Sequence, residues 1–103
     1  MAWHVAARSS DLKEAEVLGV NVNKLPIAVY RIEGSVYATS NICTHEFALL
    51  SDGYLDGDCI ECPLHQALFH VPTGEVRSEP AEEGIETYTT KEEGDSIHVL
   101  LPD

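Results

Sequence analysis

Apolar and polar residues alternate in short runs along most of this chain, and turn-forming residues interrupt the runs every 8 to 12 positions or so. Trp3 to Ala6 alternates weakly and reads as an opening strand. Ser10-Asp11 followed by LKEAE fits the cap of a short helix ending at Gly19. The run from Val17 to Val22, with valines at 20 and 22 on one face, reads instead as extended. Asn23-Lys24 is a turn, and Pro26 is expected at the first position of the next strand. Ile27 to Ile32 and Ser35 to Thr39 form the clearest hairpin, turning at Glu33-Gly34.

Further on, Ala48-Leu49-Leu50 reads as one helical turn stopped by Ser51-Asp52-Gly53, and Asp56-Gly57-Asp58 as a turn feeding Cys59-Ile60-Glu61. Ala67 to Val71 is strand-like and closed by Pro72-Thr73-Gly74; residues 75–84 form a polar loop carrying Pro80. Ile85 to Thr90 and Ser96 to Leu101 predict a last hairpin around Glu93-Gly94-Asp95, with Ile97, Val99 and Leu101 facing inward. Many short strands and no long helix predict an all-β fold, an antiparallel sandwich or barrel.

Composition adds limits. With 103 residues the chain is one small domain, and 44% hydrophobic against 23% charged residues is a folded composition. The net charge of −12 disfavours nucleic acid and anionic membrane as partners and favours steering towards a basic protein surface. No apolar run reaches the ~18 residues of a membrane span, and MAWHVAARSS lacks the pattern of a secretory signal. The expectation is a cytoplasmic protein, whose three cysteines serve as ligands or thiols.

The candidate chemistry lies between Ile42 and Val71. Cys43-Thr44-His45 and Cys62-Pro63-Leu64-His65 each put a thiolate and an imidazole on a tight loop, with residues 46–61 between them. Two such loops meeting at their tips supply a donor set that suits tetrahedral zinc or an iron–sulfur cluster with His on one iron. Cys59 and Cys62 also make a C-x-x-C, but no βαβ context for redox chemistry is visible. Strand alternation turns Cys59 and Glu61 one way and Ile60 and Cys62 the other, so Cys59 reads as a small core residue pointing away from the ligands. His4, His70 and His98 read as surface or satisfied core histidines; Trp3, Tyr30, Tyr37 and Tyr88 as core packing. Phe47, Leu49, Leu50 and Leu64 read as an apolar collar around the ligand loops.

The motifs ICTHEF, DG-x-L-x-G-x-x-x-x-CPLH (from Asp52) and LFHVPTG resemble the soluble Rieske 2Fe–2S ferredoxins of bacterial aromatic-ring-hydroxylating oxygenases. The resemblance spans nearly the whole chain. It implies a single Rieske domain over 1–103: an antiparallel β-sandwich with a cluster-binding subdomain at about 41–72 inserted in a basal β domain. It implies that Cys43 and Cys62 hold one iron and His45 and His65 the other. Replacing two thiolates by imidazoles raises the potential above that of an all-cysteine cluster. It places Pro80-Ala81 in a loop over the cluster. The function implied is transfer of single electrons from an NAD(P)H-dependent flavin reductase to a terminal Rieske oxygenase in aromatic hydrocarbon catabolism. The chain itself would be a monomer without catalytic residues. Two other readings stay open on the residues alone: the small Rieske-like subunit of an assimilatory nitrite reductase, and a zinc-stabilised binding module.

Departures from the family refine this. Respiratory-chain Rieske proteins carry an extra cysteine in each ligand loop; here Ala48 and Leu64 stand there, so that disulfide cannot form. Ala67 stands where those proteins have a serine donating to a cluster sulfide. Fewer donors imply a potential near the low end of the Rieske range, on the order of −150 mV. Glu46 and Gln66 replace the glycines that often follow the ligand histidines, and either is strained if its position requires positive φ. Between Ile32 and Val76 there are seven acids and no Lys or Arg, while residues 77–103 add eight acids against Arg77 and Lys91. The acidic surface and cluster tip are therefore the expected docking face, with binding that weakens as salt rises.

Overall fold

The structure is a computed structural model and describes residues 1–44, 48–64, 66–78 and 83–102. Those residues form ten strands in chain order: β1 (Ala2–Arg8), β2 (Val17–Val22), β3 (Leu25–Ile32), β4 (Ser35–Ser40), β5 (Tyr54–Asp56), β6 (Cys59–Glu61), β7 (Leu68–His70), β8 (Thr87–Tyr88), β9 (Thr90–Glu93) and β10 (Ser96–Leu101). They make three antiparallel sheets, ordered β1-β10-β9, β2-β3-β4-β8 and β5-β6-β7.

Local turn chemistry explains the hairpins. Val22 pairs with Leu25 and Ile32 with Ser35, so both loops have two residues. Asn23 and Lys24 take φ of 52° and 70°, Glu33 and Gly34 of 51° and 81°. These left-handed pairs match the twist of the flanking strands. Gly57 and Gly94, also at positive φ, turn β5 into β6 and β9 into β10.

Strand β3 is the centre of the molecule. Ile27, Ala28, Val29 and Tyr30 are all fully buried, so both of its faces are covered. Ile27 and Val29 enter a core with Leu12, Val22, Ala38, Ile97, Val99 and Leu101. Ala28 and Tyr30 enter a second core with Cys43, Leu50, Ile60, Cys62, Phe69 and Val71. The Tyr30 hydroxyl pairs with buried Thr39 Oγ1 at 2.8 Å, so the one polar group that β3 buries deeply has a partner. Burial pushes the Tyr30 phenol far above its ordinary pKa.

Several expectations need correction. No helix forms over 10–19: Ser9–Asp11 is a single 3-10 turn, Leu12 is buried, and the extended reading of Val17 to Val22 holds. The second 3-10 turn is Leu50–Asp52, two residues later than expected. Pro26 is the second residue of β3, not the first. The arm expected over Ile85 to Thr90 divides at Thr89: β8 joins β4, and β9 joins β10 in the other sheet. Trp3 is 40% exposed rather than core, with the Lys91 ammonium 4.4 Å above its ring. Tyr37 and Tyr88 pack only partly against the cores. Ile97, Val99 and Leu101 are fully buried, as their alternation predicts.

Candidate metal centre

The two cysteine loops are built alike. Strand β4 runs into Asn41, after which Ile42 bridges Leu49 and the Cys43 N–H donates to the Ala48 carbonyl at 3.0 Å. On β6 and β7, Glu61 pairs with Leu68 and the Cys62 N–H donates to the Ala67 carbonyl at 2.8 Å. Each loop thus has six residues, starts at a cysteine and closes on an alanine. Cys43 and Cys62 are 3% and 0% exposed and belong to one apolar cluster with Ala48, Leu50, Ala67 and Phe69. The loops thus close on small residues, Ala48 and Ala67, packed in the same cluster as the thiols. A thiolate in such surroundings needs a cation against it. This donor chemistry fits a metal cluster held between the loops.

His45 and His65 lie outside the described residues, as do Glu46, Phe47 and Pro80-Ala81. Among the described residues no three His, Cys, Asp or Glu side chains assemble as a metal site. Of the expected collar, Leu49 and Leu64 are 42% and 46% exposed on the loops, but Leu50 is fully buried in the core. Gln66 has φ of 59°, so the position after His65 does demand the left-handed conformation.

The first loop has a support that the pattern of the chain did not predict. Asn41 is buried; its Oδ1 accepts the Ser51 N–H at 2.8 Å and its Nδ2 donates to Ser51 Oγ at 2.9 Å. This clasp lies against Gly19, where a Cβ would meet Ser51 Oγ at 2.5 Å. A glycine inside the alternating run of β2 was the available signal. Thr44, between Cys43 and the first histidine, donates to the Glu83 carbonyl at 2.7 Å. Ser78 Oγ accepts the Leu68 N–H at 3.1 Å just after the second loop. Such short polar clasps depend on residues distant in sequence.

Cys59 is not core. It is half-buried on the outer face of β6, opposite His70, and its thiol lies 3.7 Å from the Asp58 carboxylate. Burial, then the nearby Asp58 charge, raise its pKa, so it stays a thiol. His70 is satisfied: Nδ1 lies 2.8 Å from Thr73 Oγ1 and Nε2 2.9 Å from Asp58 Oδ2. The hydrogen bond from His70 holds the Asp58 carboxyl below its usual range.

Comparison with known proteins completes the assignment. The Rieske [2Fe-2S] domain matches residues 2–89. The ferredoxin component of a naphthalene 1,2-dioxygenase system from Pseudomonas putida is 50% identical over 99 residues, covering 96% of this chain and 93% of that protein. The ferredoxin of Sphingomonas yanoikuyae B1 superposes with a TM-score of 0.92 at 34% identity, covering 98% of this chain and 100% of the other. A chain from the complex of reduced oxygenase and oxidized ferredoxin in carbazole 1,9a-dioxygenase superposes with a TM-score of 0.88 at 38% identity, covering 94% and 91%. The chain belongs to the Rieske [2Fe-2S] domain family, and a Rieske-type 2Fe–2S cluster is its cofactor. Within that family it is a ferredoxin, an electron carrier and not a catalytic subunit. The choice between zinc and iron–sulfur, open on the donors alone, falls to iron–sulfur.

Proposed function

We propose that this chain passes single electrons from an NAD(P)H-dependent flavin reductase to the terminal Rieske oxygenase of an aromatic-ring-hydroxylating system. The observation that carries the reading is the pair of matching cysteine loops closing on one apolar cluster, in a chain 50% identical to a naphthalene dioxygenase ferredoxin. Cys43 and Cys62 hold one iron, His45 and His65 the other, within a cluster-binding part at about 41–72 of a single domain. The cluster, when bound, supplies reversible one-electron storage. The protein's own residues do the rest. The apolar core around the thiols excludes water, and the small residues beside them leave space for the inorganic core. Leu49 and Leu64 offer an exposed apolar contact on the two cysteine loops. The acids between Ile32 and Val76 steer a basic partner to that end. The ring to be hydroxylated is selected by the oxygenase. No helix among the described residues is long and apolar enough to cross a membrane, and the charge suits a cytoplasmic monomer.

The test is spectroscopic and functional. The purified protein should be red-brown and give a Rieske EPR signal on reduction, with a midpoint on the order of −150 mV. It should support oxygenase turnover with NADH and reductase, and turnover at limiting ferredoxin should fall as salt rises. A spectroscopically silent protein, or a midpoint above zero, contradicts the assignment of the centre or of its poise. Turnover indifferent to ionic strength contradicts the steering.

A further inference from the structure

The small sheet β5-β6-β7 has two faces. Leu55, Ile60 and Phe69 line up across it and point into the core. The neighbouring row, Tyr54, Glu61 and Leu68, lies on the outer face. This outer row is the last before the second ligand loop, because Glu61 precedes Cys62 and Leu68 follows Ala67. Tyr54 is 65% exposed, its side chain makes no hydrogen bond or ring contact among the described residues, and it stands on the edge strand of the sheet. Glu61 is its direct cross-strand neighbour, with side chains about 5 Å apart at Cβ. Asp56, two residues on, shares the face.

Trp3, on a strand of another sheet, shows what is missing here. Its exposed ring is covered by the chain's own Lys91 at 4.4 Å. Tyr54 has an acid beside it, and among the described residues no cation stacks on its ring. The nearest basic residue in this part of the sequence, Arg77, is attached beyond Leu68, where its N–H donates to the Leu68 carbonyl at 2.7 Å. Its charge reaches the outer face at Cys59 on β6, and the β5 end of the row has an uncovered aromatic with carboxylates. An aromatic face beside a carboxylate fits one kind of group well: a guanidinium or ammonium that stacks on the ring and pairs with the acid. A second copy of this chain, at −12, is repelled from such a surface.

We propose that the outer face of β5 and β6 extends the docking surface from the cluster tip down one side of the molecule. There Tyr54 and Glu61 receive an arginine or lysine side chain of the terminal oxygenase. This deepens the functional reading above and rests on it. The face lies next to the exposed Leu64 on the second loop, and an exposed tyrosine is among the residues that interface hot spots favour. Docking there fixes which side of the tip faces the partner, so the row acts in specificity as well as affinity.

The test uses holo ferredoxin with the reductase and oxygenase components of the Pseudomonas putida naphthalene 1,2-dioxygenase system. KM and kcat for ferredoxin are measured in coupled turnover. Tyr54→Ala is expected to raise KM about tenfold, with kcat, midpoint and EPR spectrum unchanged. Tyr54→Phe, which keeps the ring, stays within about twofold of wild type, and Glu61→Gln added to Tyr54→Ala costs less than on its own, because the two groups share one cation. A KM for Tyr54→Ala within twofold of wild type overturns the proposal. So does a Tyr54→Phe as impaired as the alanine, which would assign the effect to the hydroxyl. Leu64→Ser separates this inference from the docking of the tip. If it raises KM and Tyr54→Ala does not, the side face is wrong and the tip stands. If neither does, or if the wild-type chain supports no turnover, both are wrong.

Discussion

The two cores that share β3 are built by different means. The basal core joins strands of six to eight residues, and its residues are aliphatic side chains that fill space between two sheets. The other core is closed by three strands of three residues each, and contributes two thiols and several alanines. A sheet of such short strands does not stand alone in water. It is held from below by Ala28 and Tyr30 of β3, and from its tip by whatever the thiols bind. The base is thus a scaffold stabilised by burial, and the ligand end is a site completed by its cofactor.

The strongest way to break that contrast is to remove a ligand. Cys62→Ser should abolish the cluster's visible and EPR signals. Amides over 42–71 should then lose hydrogen-exchange protection by orders of magnitude while β1 and β10 keep theirs. If the basal strands lose protection in step, the two cores are one cooperative unit and the contrast fails. The reverse experiment is Ile97→Ala in the basal core, where a fully buried side chain is truncated. It should lower unfolding free energy by about 2–5 kcal/mol in denaturant. The EPR spectrum of the folded protein should stay that of wild type, and altered g values would show that the base shapes the site directly.

Two smaller effects sharpen the comparison. Arg31, on β3, makes a two-pronged ion pair with Glu92 on β9, at 2.8 and 3.1 Å, and so ties one basal sheet to the other. Hydrogen bonding to Arg31 holds the Glu92 carboxyl at about 2, against an ordinary 4.5. A lowered carboxylate pKa stabilises the fold above about 4.5, and that contribution is lost as pH falls from 4.5 through 2. Glu92→Gln should remove that part of the acid sensitivity, about 1 kcal/mol or less for so exposed a pair. Unfolding curves of the two proteins taken between pH 5 and pH 2 should converge; parallel curves would show that the pair contributes nothing. The smallest expected effect is at the ligand end. Gln66→Gly relieves a left-handed φ of 59° and should stabilise by about 0.5–1 kcal/mol. A loss of stability would mean that the Gln66 side chain makes a contact worth more than the strain.

Much of this was legible in the chain as written. The hairpins at 23–24, 33–34 and 94–95 follow from turn residues and flanking alternation, which are local properties. The cysteine loops follow from spacing and residue type, and the kind of cluster they hold from the resemblance of their motifs to a known family. Strain at Gln66 was expected if its position required positive φ, and the structure places it at 59°.

Other features had no local signature. Alternation marks which residues share a face; it does not name the sheet that covers the face. Residues 85–90 therefore read as one arm, although Thr89 divides them between two sheets. Trp3 and Cys59 have core-like chemistry, yet both lie on outer faces that no third layer among the described residues covers. The Asn41–Ser51 clasp needs the empty space at Gly19, on a strand more than twenty residues away. The exposed row of Tyr54 and Glu61 exists only because register sets them side by side. Spacing and periodicity are carried by neighbours along the chain, and so the sequence alone determined most of the strands and the position of the cysteine loops, while resemblance to a family named the cofactor. Burial, register and the covering of a face are set by residues far apart, and only tertiary packing decided them.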